Sequence, residues 1–563
     1  MKRILVIQLA RIGDIVQSMP MLQSLKRHMM PCRISMLVNK KFADICRLMP
    51  CLDEILEIDF NAIGRYFFGK NASLEHAYSY IKHFYGDIQK NDFSEVINIT
   101  PHYIGIFSAF LTKTAPEPKR RLPWELFFKT ITRQWNVLPY HLSDLFKNIA
   151  GMPPSPEQVQ LKINENDFAW ADNFLHSHNM AGRDSFLVGL HPGASTPDKQ
   201  WPLDSFMQLG KYLLSDKTIR IIVVGDDIRS DANFSLGVRC ISAVGKTSLS
   251  QLAALLKRMD VFITNDTGPM HIAAACGTRT ISIHMGKETC FTTGPYTTRG
   301  FAVQPFLDCH PCQYPERCMR QICKSYITPE LLYALIRLIR DNQRSGEHEL
   351  THFSDRAVVY RGGFDPYGFF DWYPVTRKKI NVDALVRPLM RILWKCAFDN
   401  MTGTTIPCVV FDDALHSLAE TLGQFYEPDP DIFNQLSTLN YALHEIITLS
   451  RQGINLCKDI LRYAPNAMRN YQHLKQRASE TEAVDRRLVA WRERMPLMAL
   501  LIDMFFAERQ ESKGNDITQV AYDARYAYET LYFRARMLQQ MCSRYPELKQ
   551  TTGTQKHSMV VGI

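Results

Sequence analysis

The chain has 563 residues, of which 46% are hydrophobic and 22% charged, and this length is too great for one ordinary core, so two to four domains are expected. A formal net charge of +9 is a mild excess that suits an anionic partner, although a merely basic surface has the same composition. Fourteen cysteines in a chain of this size do not suggest a disulfide scaffold, since most lie among apolar positions where thiols pack as small hydrophobes.

At the start, Lys2 and Arg3 precede Ile4-Leu5-Val6-Ile7, an apolar run that Arg11 and Asp14 interrupt too soon for a signal peptide. Met1 is therefore expected to be the mature N-terminus. The run reads as a buried strand leading into Arg11-Ile12-Gly13-Asp14, then Met19-Pro20 and an amphipathic helix through Leu22 and Leu25. Asp14 then stands at the carboxyl end of the first strand, where open α/β sheets place ligands, though for the tetrapeptide alone a cap or a solvated acid is the default reading. Further strands are expected at Arg33 to Val38, Ile55 to Ile58 and Glu95 to Ile99, with helical stretches between them, the pattern of a parallel sheet covered on both faces. Pro153-Pro154-Ser155-Pro156 breaks it and reads as a linker, giving a first domain over 1–160.

The same logic repeats over 161–345, with strands at Leu187 to Leu190, Ile219 to Val224, Val261 to Thr264 and Thr280 to His284. The first of these runs into His191-Pro192-Gly193-Ala194-Ser195 and Lys199-Gln200-Trp201-Pro202. Glycine there lets backbone approach a ligand, and Lys199 supplies a mobile positive charge. The third runs into Asn265-Asp266-Thr267-Gly268-Pro269-Met270-His271 and an Ala-rich helix. The amides and dipole of that helix start favour a diphosphate near Thr267 and Gly268, with Asp266 as a simple N-cap the competing reading. Gly225-Asp226-Asp227 closes another strand, where a carboxylate binds ribose hydroxyls or is a solvated turn. Cys309, Cys312, Cys318 and Cys323 cluster beside His310 at a spacing that matches no standard zinc finger. A structural metal, reduced thiols and reversible disulfides all remain open there.

Residues 346–380 carry aromatic, Gly and Pro residues from Tyr360 to Tyr373 and read as an aromatic linker packed onto the second domain, with a contact surface as the alternative. Beyond it, over 381–563, apolar residues recur at three-four spacing from Leu436 to Leu461, Leu474 to Met495 and Ile517 to Met541, as in an antiparallel helical appendage through which copies can pair. Leu497 to Ala507 is apolar but short and interrupted by Asp503, so it reads as a buried helix and not a span.

Taken together, Arg11-Ile12-Gly13-Asp14 with Pro20, His191-Pro192-Gly193 with Lys199-Gln200-Trp201-Pro202, Gly245-Lys246-Thr247-Ser248-Leu249, and Asn265 to Pro269 with His271 resemble glycosyltransferase family 9. The best-known members of that family are the ADP-heptose:lipopolysaccharide heptosyltransferases. The resemblance covers roughly the first three fifths of the chain. It implies the GT-B architecture, two Rossmann-like doubly wound domains facing a cleft, here followed by a mainly α-helical C-terminal domain. It implies an inverting, metal-independent transfer of a sugar, heptose above all, from a nucleotide-diphosphate donor such as ADP-heptose to a hydroxyl of a lipopolysaccharide core acceptor. By the same resemblance Asp14 is the catalytic base, and Lys199, Asp266, Thr267, Gly268, Ser195 and Gly193 line the donor site, joined by position alone by Asp227 at its strand end and by His271, for which a buried, satisfied histidine is the competing reading. Arg11 and Gly13 fall on the acceptor side, with Thr100 and His102 added by their place at a strand end facing the same cleft, and Arg120 by its basic cluster with Lys119 and Arg121, which otherwise reads as a solvated face.

No cofactor is required for turnover on this reading, and a structural Zn or Fe at Cys309, Cys312, Cys318 and Cys323 is the one metal it admits. The implied partners are a nucleotide-sugar donor and a glycolipid or glycan acceptor, with no nucleic acid. The implied setting is the bacterial cytoplasm, with peripheral contact at the inner face of the inner membrane. Two other readings stay open: a member of the same family acting on a protein or another glycan, and a catalytically inactive nucleotide-binding scaffold whose helical region does the work.

Overall fold

The computed structural model describes residues 1–69, 72–112, 122–131, 138–157, 160–180, 182, 185–226, 236–312, 318, 320–341, 347–376, 378–399, 418, 420–427, 429–511 and 516–551. The chain forms two compact units, Met1–Arg121 with Tyr140–Thr376, and Leu122–Pro139 with Arg377–Ile563.

The first unit is α/β and holds two sheets. Strands β1 (Lys2–Ile7), β2 (Cys32–Asn39), β3 (Glu54–Ile58) and β4 (Glu95–Asn98) are all parallel, in the order β3-β2-β1-β4. Central β1 is fully buried from Ile4 to Ile7, which is why it reads as a continuous apolar run and not as an alternation. The second sheet contains β5 (Phe186–His191), β6 (Ile219–Val223), β7 (Cys240–Ser242), β8 (Val261–Asn265), β9 (Arg279–Ile283), β10 (Gly300–Pro305), β11 (Ala357–Phe364) and β12 (Phe370–Pro374). Its order is β12-β11-β10-β9-β8-β5-β6-β7, parallel from β10 to β7 and antiparallel at β10-β11 and β11-β12.

The aromatic segment expected as a packed linker forms the last two strands of this sheet. Phe370 and Trp372 are buried against Cys290, Ala302 and Tyr296, so the rings extend the core of the sheet. Gly362 is required in β11 because a Cβ there would lie 2.4 Å from the Thr297 carbonyl oxygen. The hairpin turns on Asp365, whose Oδ1 accepts from the amides of Tyr367 and Phe369 at 2.9 Å each, while Gly368 takes the left-handed conformation at φ +83. The Pro-rich segment that follows the first sheet is also tied down. Asp144 accepts from the Tyr296 hydroxyl at 2.8 Å and the Phe370 amide at 2.7 Å, and the Lys147 ammonium donates to the Ser155 carbonyl at 2.8 Å.

The second unit is mainly helical: Leu122–Ile131, Val382–Asp399, Ile432–Tyr463, Tyr471–Arg494, Pro496–Gln510 and Ile517–Thr551. The 432–463 helix packs along 517–551, and Gly453 permits it, since a Cβ there would meet the Tyr528 ring at 2.4 Å. The Tyr528 hydroxyl donates to Asp485 at 2.5 Å, and Arg509 pairs with the same carboxylate. Asp503, the acid inside the apolar 496–510 helix, is paired with Arg492 at 2.6 Å. No helix among the described residues is long and apolar enough to cross a membrane.

Candidate functional site

In an open α/β sheet the ligand crevice lies beyond the carboxyl ends of the strands, where the strand order reverses. In the first sheet that point falls between β1 and β4, and in the second between β5 and β8. All four strand ends carry the segments singled out in the sequence.

At the first reversal, the Leu9 amide donates to the Thr100 hydroxyl at 2.9 Å, and that hydroxyl donates to the Ile7 carbonyl at 3.2 Å. Thr100 is buried and is used to tie β1 to β4. His102 is exposed at the N-cap position of the 103–111 helix. Asp14 lies in the first turn of the Ile12–Gln17 helix, and its Oδ2 accepts from the Arg11 amide at 3.1 Å. Burial pushes its carboxyl above the usual range, and the Arg11 amide and charge offset this only in part. Arg11 itself is exposed.

At the second reversal, Asn265 staples two loops together. Its Nδ2 donates to the carbonyls of Pro192 and Gly193 at 3.0 Å each, and its Oδ1 accepts from the Trp201 amide at 3.0 Å. Trp201 is fully buried, with its ring N–H donating to the Ile327 carbonyl at 2.8 Å, so the loop carrying Lys199 has a fixed base. Lys199 Nζ donates to Asp266 Oδ2 at 2.8 Å and lies 3.8 Å from Glu288 Oε1. Burial works against the Lys199 charge, but Asp266 and Glu288 outweigh it and hold the ammonium above its ordinary value. Burial alone would raise Asp266, yet Lys199, with His284 and His271, keeps it below the usual carboxylate range. Asp266 is thus an ion-pair partner and not the N-cap. Thr267 occupies that position without a side-chain cap bond, so no side chain competes for the start of the 268–275 helix.

The two strand-end regions meet. A Cβ on Gly13 would lie 2.8 Å from the His271 ring, and one on Gly268 would lie 3.6 Å from Ile12. His271 is buried and pushed down to about 3, first by loss of solvation. Gly193 lies against the ring of His191, Ser195 is exposed on the same loop, and Asp226 follows β6 near His191. Asp227, and Arg120 with Lys119 and Arg121, lie outside the described residues.

Glu288 went unremarked in the sequence because the loop after β9, His284-Met285-Gly286-Lys287-Glu288, has no motif. The available signal was its place at the carboxyl end of a strand beside the reversal.

The four cysteines lie close to one another. Cys309 is exposed and Cys312, Cys318 and Cys323 are partly buried, near enough that the other three add to burial in raising the Cys323 thiol. Among the described residues, however, no group of three or more His, Cys, Asp and Glu side chains is arranged to hold a metal ion.

Residues 130–322 match the profile of "Glycosyltransferase family 9 (heptosyltransferase)", a span that includes Lys199 and Asp266 and leaves out Asp14. The chain is 24% identical over 157 residues to the lipopolysaccharide core heptosyltransferase OpsX of Haemophilus influenzae, covering 27% of this chain and 43% of that protein. It is 23% identical over 327 residues to lipopolysaccharide heptosyltransferase 1 of Campylobacter coli, covering 50% and 83% respectively. The chain thus spans less than half the length of the first of these relatives. Among solved structures, the family 9 glycosyl transferase from Veillonella parvula superposes with a TM-score of 0.51 at 20% identity, covering 61% of this chain and 98% of that one. Residues 130–322 thus resemble a glycosyltransferase family 9 (heptosyltransferase) domain, and a helical region lies beyond that span.

Proposed function

We propose that the protein is an inverting glycosyltransferase that moves heptose from ADP-heptose to a hydroxyl of a lipopolysaccharide core acceptor. The two sheets act in this reading as the Rossmann-like halves of a GT-B enzyme, the first holding acceptor and the second donor. The observation that carries it is the convergence of the Asp14 helix start with the Lys199–Asp266 pair and the uncapped helix at Thr267 and Gly268. Transfer needs a base for the acceptor hydroxyl and a stabilised leaving diphosphate. Asp14, raised by burial and anchored through Oδ2, takes the proton; Lys199 and the helix start receive the phosphates. Gly193 gives the diphosphate a close approach to backbone, with Ser195 beside it and His271 behind the helix start.

The acceptor side is Gly13, Arg11 and His102. The helix after His102 turns Gly105 and Ser108 inward and leaves Tyr103, Phe107 and Phe110 at 86%, 52% and 77% exposure. An apolar outward face beside the acceptor mouth supports peripheral contact with a membrane that carries a glycolipid acceptor, and sedimentation with phosphatidylglycerol vesicles tests that contact. Exposed Tyr522, Tyr526 and Phe533 on the 517–551 helix support pairing of copies through the helical region, which light scattering tests.

The donor half is tested by thermal unfolding with ADP-, UDP-, GDP- and dTDP-sugars, because a ligand that binds only folded protein raises apparent stability. A shift selective for the ADP-sugar, lost in Lys199→Ala, is expected. Folded protein that shifts with no donor overturns the reading in favour of the inactive scaffold.

A further inference from the structure

We propose that Glu288 recognises hydroxyl groups of the donor sugar. The inference rests on the donor-site reading above and deepens it.

Glu288 is carried by the loop after β9, on the same edge of the sheet as Lys199 and Asp266. That loop is held from two sides. Gly286 adopts φ +73, and a Cβ there would lie 2.5 Å from Asp198 Oδ2, so the turn seats directly on the loop that carries Lys199. On its other side the Cys312 amide donates to the Gly286 carbonyl at 2.8 Å. Glu288 is therefore placed by backbone packing and not by a long flexible approach.

The charges then say what the site takes. The Lys199 ammonium is hydrogen-bonded to Asp266 at 2.8 Å and sits 3.8 Å from Glu288, beyond hydrogen-bond reach. The three side chains are 14%, 7% and 16% exposed in the order Lys199, Asp266, Glu288. Among the described residues Glu288 makes no hydrogen bond of its own, and burial, with Asp266 and Asp14 nearby, raises its carboxyl. Asp266 and Glu288, with Asp198 on the Lys199 loop, thus share one largely buried ammonium. A diphosphate alone would add negative charge to that set and be repelled by it. A polyol joined to the diphosphate resolves the conflict. Its phosphates go to Lys199 and the helix start, and its hydroxyls donate to the carboxylates, of which Glu288 is the one with unused acceptor capacity.

The test is calorimetric binding of ADP and of ADP-heptose to the full chain, wild type and Glu288→Gln. Glutamine keeps an acceptor oxygen but loses the charge that makes such a hydrogen bond roughly twice as strong, so ADP-heptose should lose about tenfold in affinity. ADP, which carries no sugar, should bind within about twofold of wild type or more tightly, because Lys199 is then released from a competing carboxylate. Equal weakening of both ligands would make Glu288 a support for Lys199 alone and overturn the proposal, as would no change in either. If wild type binds neither ligand, the donor-site reading itself fails, a result distinct from both. Should the glutamine variant not fold, Glu288→Asp, which keeps the charge one methylene shorter, must show the same sugar-selective loss.

Discussion

His191, His271 and His284 are buried at 5%, 6% and 0% exposure, and loss of solvation pushes them down to about 4, about 3 and about 4. His271 and His284 lie near Asp266, and His191 sits against the Thr264 and Thr267 hydroxyls, so neutral imidazoles surround the ion pair. The unfolded value near 6.5 lies above all three folded values, so the unfolded chain binds more protons as pH falls. The stability these residues contribute is fully present above about pH 6.5 and is lost on acidification. Between pH 7 and 5 each histidine costs about 2 kcal/mol. Thermal unfolding should therefore occur at clearly lower temperature at pH 5, and His284→Gln should reduce that dependence. A melting temperature that is flat over the same range would show that the histidines are solvated.

The strands were legible because a parallel sheet buries both faces. Ile4 to Ile7, Leu187 to Leu190 and Val261 to Thr264 are uninterrupted apolar runs, and they form β1, β5 and β8. β11 and β12 were not legible, because Gly362, Gly363, Pro366 and Gly368 are turn residues by composition. Only the approach of Thr297 and the Asp365 turn explain glycine and aspartate inside a hairpin. At the site, the sequence named the loops that converge, whereas the choice between Asp266 as cap and Asp266 as partner of Lys199 depended on a contact 67 residues away.

The helical region poses a similar test of one residue against one element. Alanine in place of a mid-helix glycine ordinarily gains about 1 kcal/mol. At Gly453 the new methyl would meet the Tyr528 ring, which Asp485 holds through its hydroxyl, and overpacking of this kind costs about 1–3 kcal/mol. The clash should win, so Gly453→Ala is expected to lower the unfolding temperature of the protein. A rise would mean that Tyr528 can swing aside.

At the scale of the whole molecule, the family profile covers residues 130–322, and the second unit, Leu122–Pro139 with Arg377–Ile563, extends well beyond it. Leu122–Pro139 belongs with the C-terminal helices although 240 or so residues separate them in sequence, because Trp124 and Phe127 pack on Trp394 and Phe398. No local pattern announces such a pairing, since an amphipathic helix states that it has a partner and not which one.

The most direct measurement is transfer itself: purified full-length protein with ADP-heptose and a heptose-deficient lipopolysaccharide core, product followed by mass and anomeric configuration, across pH, for wild type and Asp14→Asn. A heptosylated product of inverted configuration is expected, with activity falling on acidification above the ordinary carboxylate range because burial raises Asp14. The variant should lose about 10²–10⁴-fold, the usual contribution of a general base. Donor that binds and is never transferred, or an Asp14→Asn enzyme that works at the wild-type rate, would contradict the proposed transfer.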